Sequence, residues 1–119
     1  AANMTVGEHA GVYMGTAHAK YMQKMEDASL LVWEPFVKMP LWNMYNKQIE
    51  SHIADVKNIG GPLAGAITAG KFLQKFVQYP WIHLDISGSA FFKQAYTYKG
   101  KGGTGFGVRS VYHFVKELL

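Results

Sequence analysis

Three segments in the second half of the chain decide its fold: KNIGGPLAGAITAGKFLQKFV (Lys57 to Val77), PWIHLDISGSA (Pro80 to Ala90) and GGTGFGVR (Gly102 to Arg109). In the first, Gly60 and Gly61 allow backbone shapes that other residues resist, and Pro62 suits the first turn of a helix. A helix is therefore predicted over Leu63 to Val77. Its first half is small (Ala64, Gly65, Ala66, Ala69, Gly70), which lets it lie close to another backbone. Phe72, Leu73, Phe76 and Val77 are assigned to the core. In the second segment Trp81 to Ile86 alternates and reads as a strand ending at Asp85. The third feeds a last helix that begins at Thr104 or Gly105 and runs to about Leu118. Val108, Val111, Tyr112, Val115 and Leu118 are expected to face inward.

Upstream, Met4 to Val6 and Ala10 to Met14 are short apolar runs separated by Gly7 and Gly11, read as strand or loop. Ala17 to Leu31 has helical spacing, with Tyr21, Met22, Met25, Ala28 and Leu31 on one side and Lys20, Lys24 and Asp27 facing out. Pro35 and Pro40 bracket an irregular segment carrying Trp33, Phe36 and Trp42. Asn43 to Val56 is predicted as a second amphipathic helix through Tyr45, Ile49, His52, Ile53 and Val56. Phe91 to Tyr98 is expected to be extended or loop-like. Strands that alternate with helices point to the α/β class.

At 119 residues the chain is one domain or a piece of one. Hydrophobic residues make up 49% and charged residues 17%, a globular rather than disordered balance. The formal charge is +4. The basic residues are scattered from Lys20 to Lys116, and only Arg109 is an arginine, a pattern unlike that of a nucleic-acid reader. No apolar run approaches the roughly 20 residues of a membrane span. No signal-peptide pattern opens the chain, and it has no cysteine. Neither a membrane nor a nucleic-acid partner is expected, and a cytoplasmic location is.

Gly100-Lys101-Gly102-Gly103-Thr104-Gly105 satisfies G-x-G-x-x-G ahead of a helix. A dinucleotide fingerprint also needs a preceding strand, and a second strand with an acidic residue about twenty positions on. Nothing in this sequence supplies them, so the pattern reads as a turning loop. The histidines (His9, His18, His52, His83, His113) show no pair at ligand spacing. His83 and Asp85 share a strand face, the geometry of a satisfied half-buried pair or of a metal or acid–base pair; no third ligand is evident in the sequence. Glu26-Asp27 reads as a solvated helix face. Asp55 and Asp85 are expected to bind loop amides. Ser87 and Ser89 flank Gly88 without forming G-x-S-x-G, and serine hydrolysis is discounted.

Taken together and in order, these segments resemble the C-terminal end of leucyl aminopeptidases, the two-metal cytosol aminopeptidases. AANMTVGEHAGVY is similar to the strand and turn after the family's T-L-T-G motif, and VKMPLWNMYNKQIESHIADVKNIGG to its tryptophan-bearing segment, helix and glycine loop. WIHLDISGSA resembles its last central strand and pocket loop, and GGTGFGVRSVYHFVKELL its terminal helix.

The resemblance implies an α/β fold: the C-terminal portion of a three-layer domain with a central, mostly parallel sheet flanked by helices. It implies removal of N-terminal residues, often leucine, from peptides. In the intact enzyme two divalent metals, zinc or manganese, polarise the scissile carbonyl and activate a bridging water. The family's ligands are a lysine, aspartates and the acidic pair of N-T-D-A-E-G-R, and neither that motif nor T-L-T-G occurs here. The upstream metal-binding part is therefore absent from residues 1–119, which carry no catalytic residue and no metal ligand, and no cofactor is expected in this chain alone. What carries over is pocket lining: Ser87 and Ala90 map to the pocket for the substrate's N-terminal side chain, and Ile59 to the pocket for the next. Ser87, where the family often has alanine, makes that wall slightly more polar.

The expected function is the C-terminal segment of a leucyl aminopeptidase, inactive alone, taking a peptide substrate only with the upstream part and homo-oligomeric when intact. The alternative is a non-catalytic interaction or self-assembly module derived from that fold. A nucleotide-binding module rests on the glycine pattern alone.

Overall fold

The computed structural model describes residues 1–119. Its elements are α1 (Ala2–Val6), β1 (Gly11–Gly15), α2 (Ala19–Leu31), β2 (Phe36–Lys38), a 3₁₀ helix (Asn43–Ile49), α3 (Gly65–Gln74), β3 (Ile82–Asp85), β4 (Phe91–Phe92), β5 (Gly102–Gly103) and α4 (Val108–Leu118). The main sheet runs β2-β1-β3, with β2 parallel and β3 antiparallel to the central strand. β4 and β5 form a separate hairpin.

The centre is β1, Gly-Val-Tyr-Met-Gly. Alternation sends Tyr13 to one face and Val12 and Met14 to the other, and all three are buried. Tyr13 packs with Met22, Met25, Phe36 and Phe106; Val12 and Met14 pack with Ala2 and Ala66. Helices therefore cover both faces of the sheet, the three-layer α/β arrangement. The two ends of β1 need glycine. A side chain at Gly11 would meet the Phe36 ring, and one at Gly15 the Trp81 carbonyl.

The small face of α3 is buried as its composition predicts, but only in part. Ala66 and Gly70 are buried, with Gly70 against Met14 and Leu41, whereas Ala69 is exposed. The helix starts later than Pro62 suggests, because Ala64 takes a left-handed conformation (φ 54°) and helical geometry begins after it. Leu73 and Phe76, assigned to the core by sequence, are exposed.

Three further expectations are corrected. Met4 to Val6 belongs to a helix: one and a half turns are too short to show a period, and Gly7, at φ 75°, ends it. Asn43 to Val56 is not an amphipathic helix. A 3₁₀ helix stops at Ile49, the bends that follow leave Ile53 exposed, and Lys57 reaches back to bond the Ile49 carbonyl (2.8 Å). The apolar stripe of α4 points outward. Val108, Val111, Tyr112, Val115 and Leu118 are all exposed, while buried Ser110 and half-buried His113 and Phe114 lie on the other side of the helix. Periodicity finds a stripe but not which neighbour covers it.

The open stripe has a global counterpart. The molecule is a slab of 48 × 37 × 17 Å with a radius of gyration of 15.2 Å, against about 13.5 Å for a compact domain of this length. Only 23 of 119 residues are buried. Leu84, Ile86, Phe106, Val108, Val111 and Tyr112 line an open apolar groove of about 550 Å³ between the free edge of β3 and α4.

Overpacking separates buried from open faces. Ala66→Leu and Gly70→Val are expected to destabilise the fold by about 1–3 kcal/mol, because Met14 is fully buried and has nowhere to move. Lys75→Leu, on the exposed side, should change thermal stability little. Equal melting temperatures for the three variants would contradict this packing.

Candidate functional site

All the loops that matter gather at one end of the sheet. There β1 and β2 begin and β3 ends, since Gly11 pairs with Phe36 and Val12 with Asp85. Asp85 organises this end. Its Oδ1 accepts from the Ser87 amide (3.0 Å) and its Oδ2 from the Ala2 amide (3.2 Å), so one carboxylate ties the loop after β3 to α1. The role predicted for Asp85, binding loop amides, is thus met. Asp55, given the same role, is exposed and holds no amide. His83 makes no hydrogen bond to Asp85; its ring stacks on Trp81 (5.7 Å between centroids). Burial pulls the His83 pKa below its ordinary value despite the opposing charge of Asp85.

Of the three residues expected to line substrate pockets, Ser87, Ala90 and Ile59, Ser87 and Ile59 approach the same neighbour. The Ser87 hydroxyl accepts from the nitrogens of Ala1 (3.2 Å) and Asn3 (3.4 Å). Ile59, 79% exposed, lines a cavity of about 280 Å³ with Ala1, Asn58, Gly60, Thr68 and Ala69. Ala90 stands on the same loop as Ser87 and is tied through its backbone: its amide bonds the Ile86 carbonyl (2.9 Å) and its carbonyl accepts from Thr104 (2.9 Å), at the root of the β4–β5 hairpin.

Sequence reasoning missed several site residues. Gly88 must be glycine, because a Cβ there would strike Asn3 of α1 and the carbonyl of Gly7, which ends that helix; a contact between segments so far apart leaves no local signal in the sequence. Glu34 is 3% exposed. It accepts from the Ser110 amide (2.9 Å), the Ser110 hydroxyl (2.7 Å) and Arg109 Nε (3.1 Å), and so clamps the first turn of α4. Burial alone would raise its pKa, but the Ser110 and Arg109 bonds outweigh it and hold Glu34 below the ordinary carboxylate value. Glu26 is not simply solvated: it accepts from the Tyr13 hydroxyl (2.7 Å). Burial, reinforced by Glu26, pushes the Tyr13 pKa up. Lys71 is buried with only the Gln74 amide oxygen as partner (3.0 Å), and burial, then Lys75, lowers its pKa.

The G-x-G-x-x-G stretch is no phosphate cradle. Gly102 and Gly103 form β5, paired with Phe92 and Phe91, and Gly105 and Gly107 carry the positive φ values of the turn into α4. No three His, Asp or Glu side chains converge in a way that could hold a metal ion. Asp85, Glu34 and Glu26 are each engaged in the hydrogen bonds above. The residues present do not fit a two-metal centre, and no metal-dependent step is assigned to them.

A sheet with helices on both faces defines the class, part of a layered α/β domain. The model of the cytosol aminopeptidase family, catalytic domain, matches residues 1–112. A probable cytosol aminopeptidase of Desulforapulum autotrophicum is 43% identical over 116 residues, 96% of this chain and 22% of that relative. One of Clostridium perfringens is 43% identical over 118 residues, 98% of this chain and 24% of that relative. Among solved structures, the bottromycin maturation enzyme BotP in complex with Mn superposes with a TM-score of 0.91 at 31% identity, covering 99% of this chain and 26% of that one. The chain belongs to the cytosol aminopeptidase family. It spans about a quarter of the length of the curated relatives it matches.

The Glu34 clamp makes stability pH-dependent with a definite sign. A folded-state pKa below the unfolded one adds stability above the unfolded value and loses it as pH falls through the folded value. Glu34→Gln should therefore destabilise the chain at neutral pH by about 1.5–3 kcal/mol. The gap to the parent should narrow in denaturant titrations below the ordinary carboxylate pKa; a gap independent of pH would mean that Glu34 is not held ionised.

Proposed function

We propose that this chain is the C-terminal part of the catalytic domain of a metal-dependent leucyl aminopeptidase, and that it supplies core and substrate-pocket lining rather than catalytic groups. The supporting observation is a conjunction. The family match runs over residues 1–112, while no metal-ligand cluster forms and a broad apolar groove beside β3 and α4 stands open. In this reading the upstream part of the family domain brings the two divalent metals, zinc or manganese, and covers the groove. Ser87 and Ala90 line the pocket for the terminal side chain, and Ile59 lines the next. The intact protein acts on peptides in the cytoplasm as a homo-oligomer, with neither nucleic acid nor membrane as partner; no helix is long and apolar enough to cross a membrane.

The chain alone is expected not to hydrolyse leucine amide or anilide with added zinc, manganese or magnesium. A chimera in which this chain replaces the matching quarter of the Clostridium perfringens relative should hydrolyse both. Turnover by the purified chain, or a folded chimera without activity, would overturn the reading. In the active chimera Ser87→Ala should raise kcat/KM for leucine over serine substrates a few-fold, less than the roughly 10–200-fold that a whole methylene is worth in an apolar pocket; an unchanged ratio would remove Ser87 from the pocket wall.

A second reading is favoured by the open α4 stripe: a module that assembles with itself through that face. A large exposed apolar patch marks an interface. Sedimentation of the chain across concentration separates the two, since self-association abolished by Val111→Glu would favour the module.

A further inference from the structure

We propose that the cleft between the β4–β5 hairpin and the first turn of α4 is a carboxylate-binding subsite, which in the assembled peptidase takes a carboxylate that the peptide carries beyond its cleaved bond. The role in peptide selection rests on the aminopeptidase reading; binding of the carboxylate itself does not.

The cleft has a volume of about 260 Å³ and is lined by Glu34, Tyr98, Lys99, Thr104 and Arg109 among others. It is the size of a side chain rather than of a drug-like ligand, for which roughly 300–1,000 Å³ is usual. Its charge is not balanced. Both oxygens of Glu34 are committed to Arg109 and Ser110, so that carboxylate offsets one cation and leaves the other. Arg109 spends only Nε on Glu34; its terminal nitrogens make no hydrogen bond, and its side chain is 56% exposed. Those two nitrogens are the edge that pairs with a carboxylate in a two-pronged geometry. The Lys99 ammonium has no acceptor and no ion pair, and lies 5.8 Å from the centre of the Phe92 ring and 6.0 Å from that of Tyr98. Reciprocal backbone bonds between Tyr96 and Lys99 (2.9 and 2.8 Å) fix where this lysine stands. From Ile86 to Lys116 there is no Asp or Glu to neutralise Lys93, Lys99, Lys101 and Arg109 from within the segment.

The cleft is joined to the pocket loop through one residue. Thr104 lines the cleft, and its amide and hydroxyl donate to the carbonyls of Ala90 (2.9 Å) and Ser89 (2.6 Å). One wall of the cleft thus stands directly against the backbone of the Ser87–Ala90 loop.

Two measurements test this. Nuclear magnetic resonance titration of the 119-residue chain with N-acetyl-Ala-Glu-amide should move the signals of Lys99, Thr104 and Arg109, and the glutamine peptide should bind about tenfold more weakly. In the chimera, Leu-Gly-Gly peptides with a free terminal carboxylate should be preferred over their amides by severalfold in kcat/KM, and Lys99→Met should collapse that ratio towards one. Equal binding of the glutamate and glutamine peptides, or an acid-to-amide ratio unmoved by Lys99→Met, overturns the subsite. A chimera inactive on leucine amide fails the aminopeptidase reading instead, and the titration then decides the subsite; a chain that does not fold alone leaves the decision to the kinetic ratio.

Discussion

The fold depends on a constraint at β1: a five-residue strand packed on both faces and both edges. Sheet neighbours flank it, helices cover it above and below, and Val12, Tyr13 and Met14 have no access to water. Such a strand tolerates little. Its terminal glycines stand where the Phe36 ring and the Trp81 carbonyl leave no room for a Cβ, and its three central side chains seed both halves of the core. Everything else is placed by what packs against it. Gly70 of α3 rests on Met14; α2 and the turn before α4 close over Tyr13 through Met22, Met25 and Phe106.

Two carboxylates, buried Glu34 and half-buried Asp85, translate that packing into a shaped end of the sheet. Asp85 fastens the loop after β3 to α1, and Glu34 fastens the first turn of α4 to the start of β2. Asp85 does so through two backbone amides, and Glu34 through the amide and hydroxyl of Ser110 and through Arg109, charge-assisted bonds roughly twice as strong as neutral ones. Each links segments more than 70 residues apart in sequence. The loop from Ile86 to Gly107 hangs between these clamps. It therefore holds a defined shape even though its only regular structure is a two-residue hairpin. A loop positioned by a rigid frame is where binding residues are commonly found.

Apolar surface is unevenly spent. One side of the slab is closed by α1 and α3, the other by α2 and one flank of α4, yet the α4 stripe and the free edge of β3 stay open. That imbalance agrees with the family relationship, in which this chain accounts for about a quarter of its relatives' length. It also separates two kinds of apolar residue: those buried in this chain's own core, and those left exposed along α4.

The sequence by itself determined the class and the local elements with a strong period or punctuation. The presence of α2, β3 and α3 follows from spacing, because burial on one side leaves an imprint at every third or fourth position, or every second, although Tyr21 and Leu31, expected on the inner side of α2, are exposed. The order of the segments carried the family. The tertiary structure decided what spacing does not encode. It made Met4 to Val6 helical, ended the segment after Asn43 as a single 3₁₀ stretch, and turned the α4 stripe outward, because a stripe records that a face is apolar and not what lies opposite it. It also made Gly88 obligatory, paired Glu34 with Ser110 and drew Ser87 and Ile59 toward Ala1. These are contacts between residues distant along the chain, and such a contact has no local period by which to be read.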